Sequence, residues 1–288
     1  CPSWPKLNLA LVALPFFASM IITNDVALLV FVPLALTCGS QCHRDMTRTV
    51  IWQTLAANLG STLTPMGNPQ NLFIYSHYQL ELGAFLQVTL PVTILAAVWL
   101  VYLTTSLPAH ALKLSLPPVK LGARRDLYFY GLLLLLCLAG VFRLIDVRYA
   151  VLMSVAAVAG KDFKLFGQVD YSLLLTFIAF FIFIGNIAAM PLVQQASQSL
   201  LYSPGAVYLT GIILSQFVSN VPATMLLAGF TQDAGALLLG VDVGGLGTLI
   251  ASMASVISYK FFAQAHPHQA GIYLRMFLFY NFSGLVVL

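Results

Sequence analysis

Two acids stand inside apolar stretches of this chain, Asp25 and Asp242. A carboxylate at membrane depth is costly unless a proton or a cation accompanies it, so such a residue marks a pathway or a coupling site. Asp25 closes the triplet Thr23-Asn24-Asp25, and Ser219-Asn220-Val221 is its counterpart, followed by Pro222, Ala223 and Thr224. Small hydroxyls and an amide at a hairpin tip can coordinate an ion together with backbone carbonyls. The plainer alternative is that they cap the turn.

Asp242 opens the segment DVGGLGTLIASMASVISY, residues 242–259, which aligns without a gap on NLGSTLTPMGNPQNLFIY, residues 58–75. Gly60 falls on Gly244, Thr64 on Thr248, Asn71 on Ser255 and Tyr75 on Tyr259. Gly60, Pro65, Gly67 and Pro69 do not sit in one continuous helix, because each proline removes a donor and pushes its predecessor out of helical geometry. The break frees N–H groups at the start of a second half-helix, and that positive end suits an anion. The freed carbonyls and the amides of Asn68, Gln70 and Asn71 suit a cation or a hydroxylated ligand. In the second segment Gly244, Gly245 and Gly247 replace the prolines and allow close approach and open backbone angles. Thr248, Ser252 and Ser255 supply hydroxyls there. The GGLG run lacks the lysine and the preceding strand of a phosphate loop.

These residues give an expected substrate-binding set of Asn24, Thr64, Gly67, Asn68, Gln70, Asn71, Ser219, Asn220, Thr224, Gly244, Thr248, Ser252 and Ser255. Asp25 and Asp242 are the expected coupling groups. Asp25 is expected to matter more, because Asn58 shows that an amide fits the place equivalent to Asp242. No Ser-His-Asp set, HExxH or zinc spacing occurs, so no catalytic residue, metal or cofactor is expected, and no nucleic-acid partner.

The elements that must hold these groups are membrane segments. Charged residues make up 8% of the chain and hydrophobic residues 60%, with a mean hydropathy of +0.91. A soluble domain carries about 25% charged residues. Residues 7–38 read as two apolar arms of about 15 residues around the first triplet, too short for two comfortable crossings and suited to a re-entrant hairpin. Residues 47–78 read as a crossing broken near Gly60–Asn71, and 82–107 as an intact one. Residues 108–125, with three prolines and four basic residues, read as a linker. Crossings are expected at 127–143, 148–160 and 169–190, followed by an amphipathic connection at 191–203. The second hairpin is expected at 204–230, the second broken crossing at 235–262 and a last helix from 272.

With both ends of the first hairpin facing the cytoplasm, eleven Lys and Arg fall inside and two, Arg143 and Arg148, outside. That bias follows the positive-inside rule and makes the linker cytoplasmic. The second hairpin then enters from outside, so the halves are inverted, and doubled broken segments point to a transporter binding site. The expected division is 1–107 as first repeat, 108–125 as cytoplasmic linker and 126–288 as second repeat. Only 22 residues precede Thr23, so roughly two or three helices of the first repeat are expected to lie outside this sequence.

The hairpin with TND, followed by TLTPMGNPQN, and the later SNVPAT with DVGGLGTL resemble the ion transporter superfamily, which holds arsenite efflux pumps, citrate transporters and sodium–dicarboxylate symporters. The likeness covers nearly the whole chain. It is similar in particular to a bacterial inner-membrane branch of anion transporters with a citrate-transporter-like domain. The resemblance implies an all-α polytopic membrane protein of inverted repeats, each with a re-entrant hairpin and a broken transmembrane helix. It implies a substrate site between hairpin tips and breaks, a homodimer, and elevator-type motion. The dicarboxylate relatives carry Ser-Asn-Thr at both hairpins. Here Asp25 and Val221 stand in the third place, and Asn24-Asp25 resembles the arsenite pumps more. The expectation is a secondary transporter of a small anion or oxyanion, driven by a proton or sodium gradient. A cation/proton antiporter using Asp25 and Asp242 is the alternative; a membrane-embedded enzyme fits less well.

Overall fold

A lipid environment removes water as a partner for backbone groups, so an apolar chain of this kind must satisfy its backbone within helices. The computed structural model describes residues 4–106, 123–169 and 171–288, and among these no strand occurs. The helices are α1 (Trp4–Ala18), α2 (Asn24–Cys42), α3 (Thr47–Ser61), α4 (Pro69–His77), α5 (Leu82–Thr105), α6 (Arg124–Val141), α7 (Val147–Lys161), α8 (Tyr171–Ala188), α9 (Pro191–Leu200), α10 (Pro204–Val218), α11 (Asn220–Ala228), α12 (Ala234–Val243), α13 (Met253–Ala265) and α14 (Ala270–Val287). The stretches Asn24–Cys42, Leu82–Thr105 and Pro267–Val287 are each long and apolar enough to cross a membrane. This is an all-α polytopic membrane protein.

The described residues fall into two compact units, one within Cys1–Ser115 and Ile184–Leu288, the other within Leu116–Phe183. In the smaller unit α6 and α7 pack together, with Gly140 against Ala150 near the Phe142–Asp146 turn. At the other end Lys161 pairs with Asp126 and lies over the rings of Phe129 and Tyr130. Helix α7 has 15 residues and is about 22 Å long, short of the ~30 Å of a hydrocarbon core. The expected linker 108–125 lies mostly outside the described residues.

In the larger unit α3 is the central helix, touching α1, α2, α5, α13 and α14. Nearly all its side chains are buried, among them Thr49, Gln53, Thr54, Asn58 and Ser61. Large apolar residues such as Ile94, Val98 and Phe217 face outward instead. Such an arrangement suits a lipid exterior, where burial is reserved for groups that need partners. Pro15 cannot donate to Leu11, and Gln53 Nε2 takes that free carbonyl at 2.9 Å while also reaching Phe31 O at 3.1 Å. One amide thereby ties α3 to both arms of the first hairpin.

The first hairpin does fold back on itself. Arg44 lies over the Trp4 ring, and Thr49 bonds Asn8, so its open ends meet at the start of α3. Two details differ from expectation. Helix α2 has 19 residues rather than about 15, because it runs on through Gly39, Ser40 and Gln41 to an αL cap at His43. The triplet is not the tip itself: Thr23 is the N-cap and Asn24 and Asp25 form the first turn of α2. A side-chain acceptor at that position satisfies an orphan N–H, which is why the helix starts there. The second hairpin has arms of 15 and 9 residues joined by Ser219 alone.

Candidate functional site

Each hairpin end plugs into the break of its own half. Helix α3 stops at Ser61, and Asn68 caps α4 by accepting from Asn71 N at 2.9 Å, with Pro69 in the first helical position. Between them the chain approaches the first hairpin closely. Asn24 N donates to Gly67 O at 2.9 Å, and Thr64 Oγ1 donates to Met20 O at 2.6 Å. Gly60 lies against Phe16 and Ser19, and a Cβ there would stand 2.1 Å from Phe16 O. A Cβ on Gly67 would meet Ser61 O at the same distance.

The second half repeats the threonine and glycine contacts at matching positions. Helix α12 stops at Val243, and Ser252 is the residue before α13. Thr248 Oγ1 donates to Gln216 O at 3.0 Å, as Thr64 does to Met20. Gly244 lies against Ile212 and Ser215, as Gly60 does against Phe16 and Ser19. Asn68 and Ser252 occupy matching places in the gapless alignment, and so do the helix starts Pro69 and Met253. Gln216 adds what Met20 cannot. Its Nε2 donates to Gly244 O at 2.9 Å and Leu246 O at 3.0 Å, and its Oε1 accepts from Thr248 N at 2.8 Å. Ser219 holds φ 72° and ψ 154°, a region almost confined to glycine. Asn220 packs over Gly245, where a Cβ would come within 2.9 Å of its amide nitrogen.

The halves also exchange partners. Asn58, near the end of α3, accepts on Oδ1 from Asn24 Nδ2 at 3.0 Å and from Ser252 Oγ at 3.1 Å; its Nδ2 reaches Ser255 Oγ at 3.5 Å. Asp242, its counterpart near the end of α12, accepts on Oδ1 from Asn68 Nδ2 and Gln70 Nε2, both at 3.3 Å. So the polar residue closing each first half-helix is held by the residues opening the other half's second half-helix. Thr54 Oγ1 donates to Ser258 Oγ at 2.7 Å one turn further along. Asn58, Asp242, Asn68, Gln70, Asn71, Ser252 and Ser255 are all buried.

The expected residues separate into groups. Asn24, Asn68, Gln70, Asn71, Asp242, Ser252 and Ser255 gather around this exchange. Thr64, Gly67, Gly244 and Thr248 frame the breaks, and Ser219 and Asn220 sit at the second hairpin end, with Ser219 Oγ reaching Ala251 O at 3.4 Å. Thr224 bonds Asn220 O within its own helix at 2.7 Å. Asp25 stands apart: it is half-buried, its N–H bonds the Asn24 side chain, and its carboxylate has no partner among the described residues. Sequence reasoning missed Ser61, Gln216 and the Ser19 and Ser215 pair, and used Asn58 only as a counterpart of Asp242. Carrying the hairpin alignment back from the triplets would have paired Ser19 with Ser215 and Met20 with Gln216. No group of three or more metal-ligating side chains occurs among the described residues.

Buried amides and hydroxyls around two interrupted helices, inside an apolar polytopic fold, are the parts of a membrane transporter. The family model for the citrate transporter matches residues 4–257. The chain belongs to the citrate transporter family. An uncharacterised transporter of Methanocaldococcus jannaschii is 32% identical over 258 residues, covering 88% of this chain and 70% of that protein. The inner membrane protein YbiR of Escherichia coli is 32% identical over 263 residues, covering 88% of this chain and 69% of that protein.

Proposed function

We propose that this chain is a secondary active transporter of a small anion or oxyanion, working by alternating access in the inner membrane of a bacterium and driven by a proton or cation gradient. The observation that carries the reading is the exchange of partners: Ser252 and Ser255 on Asn58, Asn68 and Gln70 on Asp242. Two interrupted helices whose breaks interlock in this way meet at one place, where half-helix N-termini and amide donors can face an anion. The substrate site lies there, bounded by Asn24, Thr64, Gly67, Asn68, Gln70, Asn71, Ser219, Asn220, Gly244, Thr248, Ser252 and Ser255. The two halves are inverted in the membrane, with the linker at 108–125 cytoplasmic, in keeping with the distribution of Lys and Arg. A homodimer, with the interlocked breaks moving as a body, suits this arrangement.

The test is uptake by the full chain in proteoliposomes. Labelled citrate, other carboxylates and inorganic oxyanions are presented with an imposed pH gradient or an imposed sodium gradient. Gradient-dependent accumulation of one of them, lost in Asn68→Ala and Asn220→Ala protein that still folds, is expected. Absence of transport for every anion, with folded protein in the vesicles, overturns the reading. Reaction of Ser115→Cys with an impermeant thiol reagent from outside intact cells overturns the orientation.

A further inference from the structure

We propose that Asp242 is the coupling-proton site, its Oδ2 carrying the proton; this rests on the transport reading above. Asp242 Oδ2 and Asn71 Oδ1 are both buried acceptors without a hydrogen-bond partner. Orphaned acceptors at this depth are costly, and each needs a donor. Two of the surrounding amides, Asn68 and Asn71, are held in their orientation by backbone groups. Asn68 Oδ1 is held by Asn71 N, so its Nδ2 faces Asp242 Oδ1 and Ser61 Oγ. Asn71 Nδ2 faces the carbonyls of Ser61, Thr62 and Thr64 at 3.2–3.4 Å, which leaves its Oδ1 on the other side of the amide. The Asn71 amide also lies beside Asp242, as a third donor group around this carboxyl. A proton on Oδ2 removes the charge from this unpartnered oxygen.

A metal cation fits this cluster less well. Hard cations take several oxygen ligands, whereas amide N–H donors already point at this carboxylate. No opposite charge is at hand either. Helix α12 packs against α3, α4, α5, α10 and α11. Their titratable and charged groups are Arg48 at the far start of α3, Tyr75 and His77 on α4, Tyr102 on α5, with Glu81 as its cap, and Tyr208 on α10; α11 has none. Asp233 caps the opposite end of α12. The repeat counterpart shows the satisfied case: Asn58 uses both ends of its amide on Asn24, Ser252 and Ser255. Protonated Asp242 has the same shape and a donor in the same place. During transport the O–H bond forms with a proton from water on one side of the membrane and breaks by returning it to water on the other.

Infrared difference spectroscopy of the full chain in lipid tests this without any substrate. The protein is taken from mildly acidic to alkaline buffer. Wild type is expected to lose a protonated-carboxyl C=O band, and Asp242→Asn to lack that band while staying folded. Sodium at constant pH should leave the band in place. Absence of an Asp242-dependent band overturns the proposal, and so does a band removed by sodium, which would make this a cation site. Failure of the transport reading looks different, because the band would then titrate in a protein that moves no anion in proteoliposomes.

Discussion

The first break is opened by Pro65 and Pro69, the second by Gly244, Gly245 and Gly247, and the two therefore need different supports. Proline enforces its own interruption, since the ring removes a donor and restricts the preceding residue. The first hairpin then has only to seal the break, which it does with Asn24 N on Gly67 O and with the Met20 carbonyl on Thr64. Glycine permits an interruption but does not enforce one. The second break is held from outside by Gln216, which spans from Gly244 O to Thr248 N. Geometry is conserved between halves while the chemistry that imposes it has changed.

The comparison is broken most severely at the glycines under the hairpins. Gly60→Ala places a Cβ 2.1 Å from a carbonyl of α1, where only backbone could yield. We expect a loss of about 3 kcal/mol, read as a large fall in thermal midpoint of the purified protein or as failure to recover it folded. Gly244→Ala meets Gly240 O at 2.7 Å and Ile212 Cα at 2.9 Å, less close than at Gly60, and should cost less. Equal losses at both sites would mean that the hairpins do not seal the two breaks differently.

Next in size is the support that only one half has. Gln216→Met turns the second break into a copy of the first without its prolines. It leaves Thr248 N and two carbonyls unpaired, and we expect a loss of about 2 kcal/mol. Met20→Gln should cost less, because the prolines already fix that break. A Gln216→Met protein with an unchanged thermal midpoint would show that the glycine break needs no brace.

A smaller effect of opposite sign is expected at Ser219. Glycine adopts its backbone angles freely, so Ser219→Gly should relieve strain and stabilise the protein by about 1 kcal/mol. The five-residue turn of the first hairpin has no such residue among Ser19–Thr23. A lower thermal midpoint in Ser219→Gly would mean that its 3.4 Å bond to Ala251 O outweighs the strain.

Much of this was legible in the sequence, and the remainder has identifiable causes. The gapless alignment of residues 58–75 with 242–259 located both breaks, because proline and glycine act locally and leave a local mark. Helix starts at Pro69 and Met253 fall in register for the same reason. The length of α2 was not legible from hydropathy, which reports the end of the apolar stretch at Cys38 rather than the end of the helix at the His43 cap. Gln216 and Ser215 were missed because each looks like an ordinary polar residue on a short apolar helix. Their partners lie across a fold-level contact. The orphaned oxygen of Asp242 was also beyond reach, since it depends on how the amides of Asn68 and Asn71 are turned by backbone groups.

The smallest effect is expected where the sequence pointed first. The resemblance to sodium–dicarboxylate symporters implies an uncharged residue where Asp25 stands, which made Asp25 the stronger expected coupling group. Its surroundings argue otherwise. It lies in the first turn of α2, where a negative side chain is favoured by the helix dipole. Its N–H, not its carboxylate, makes the bond to Asn24 that shapes the turn. Removing the charge in Asp25→Asn should cost about 0.5 kcal/mol or less and leave gradient-driven transport near wild type. Asp242→Asn, by contrast, should keep the fold and abolish the pH dependence of uptake, since it fixes the neutral form. Proteoliposome uptake under an imposed pH gradient compares the two directly. Lost coupling in Asp25→Asn with normal coupling in Asp242→Asn would restore the order expected from sequence and move the proton from the break to the hairpin.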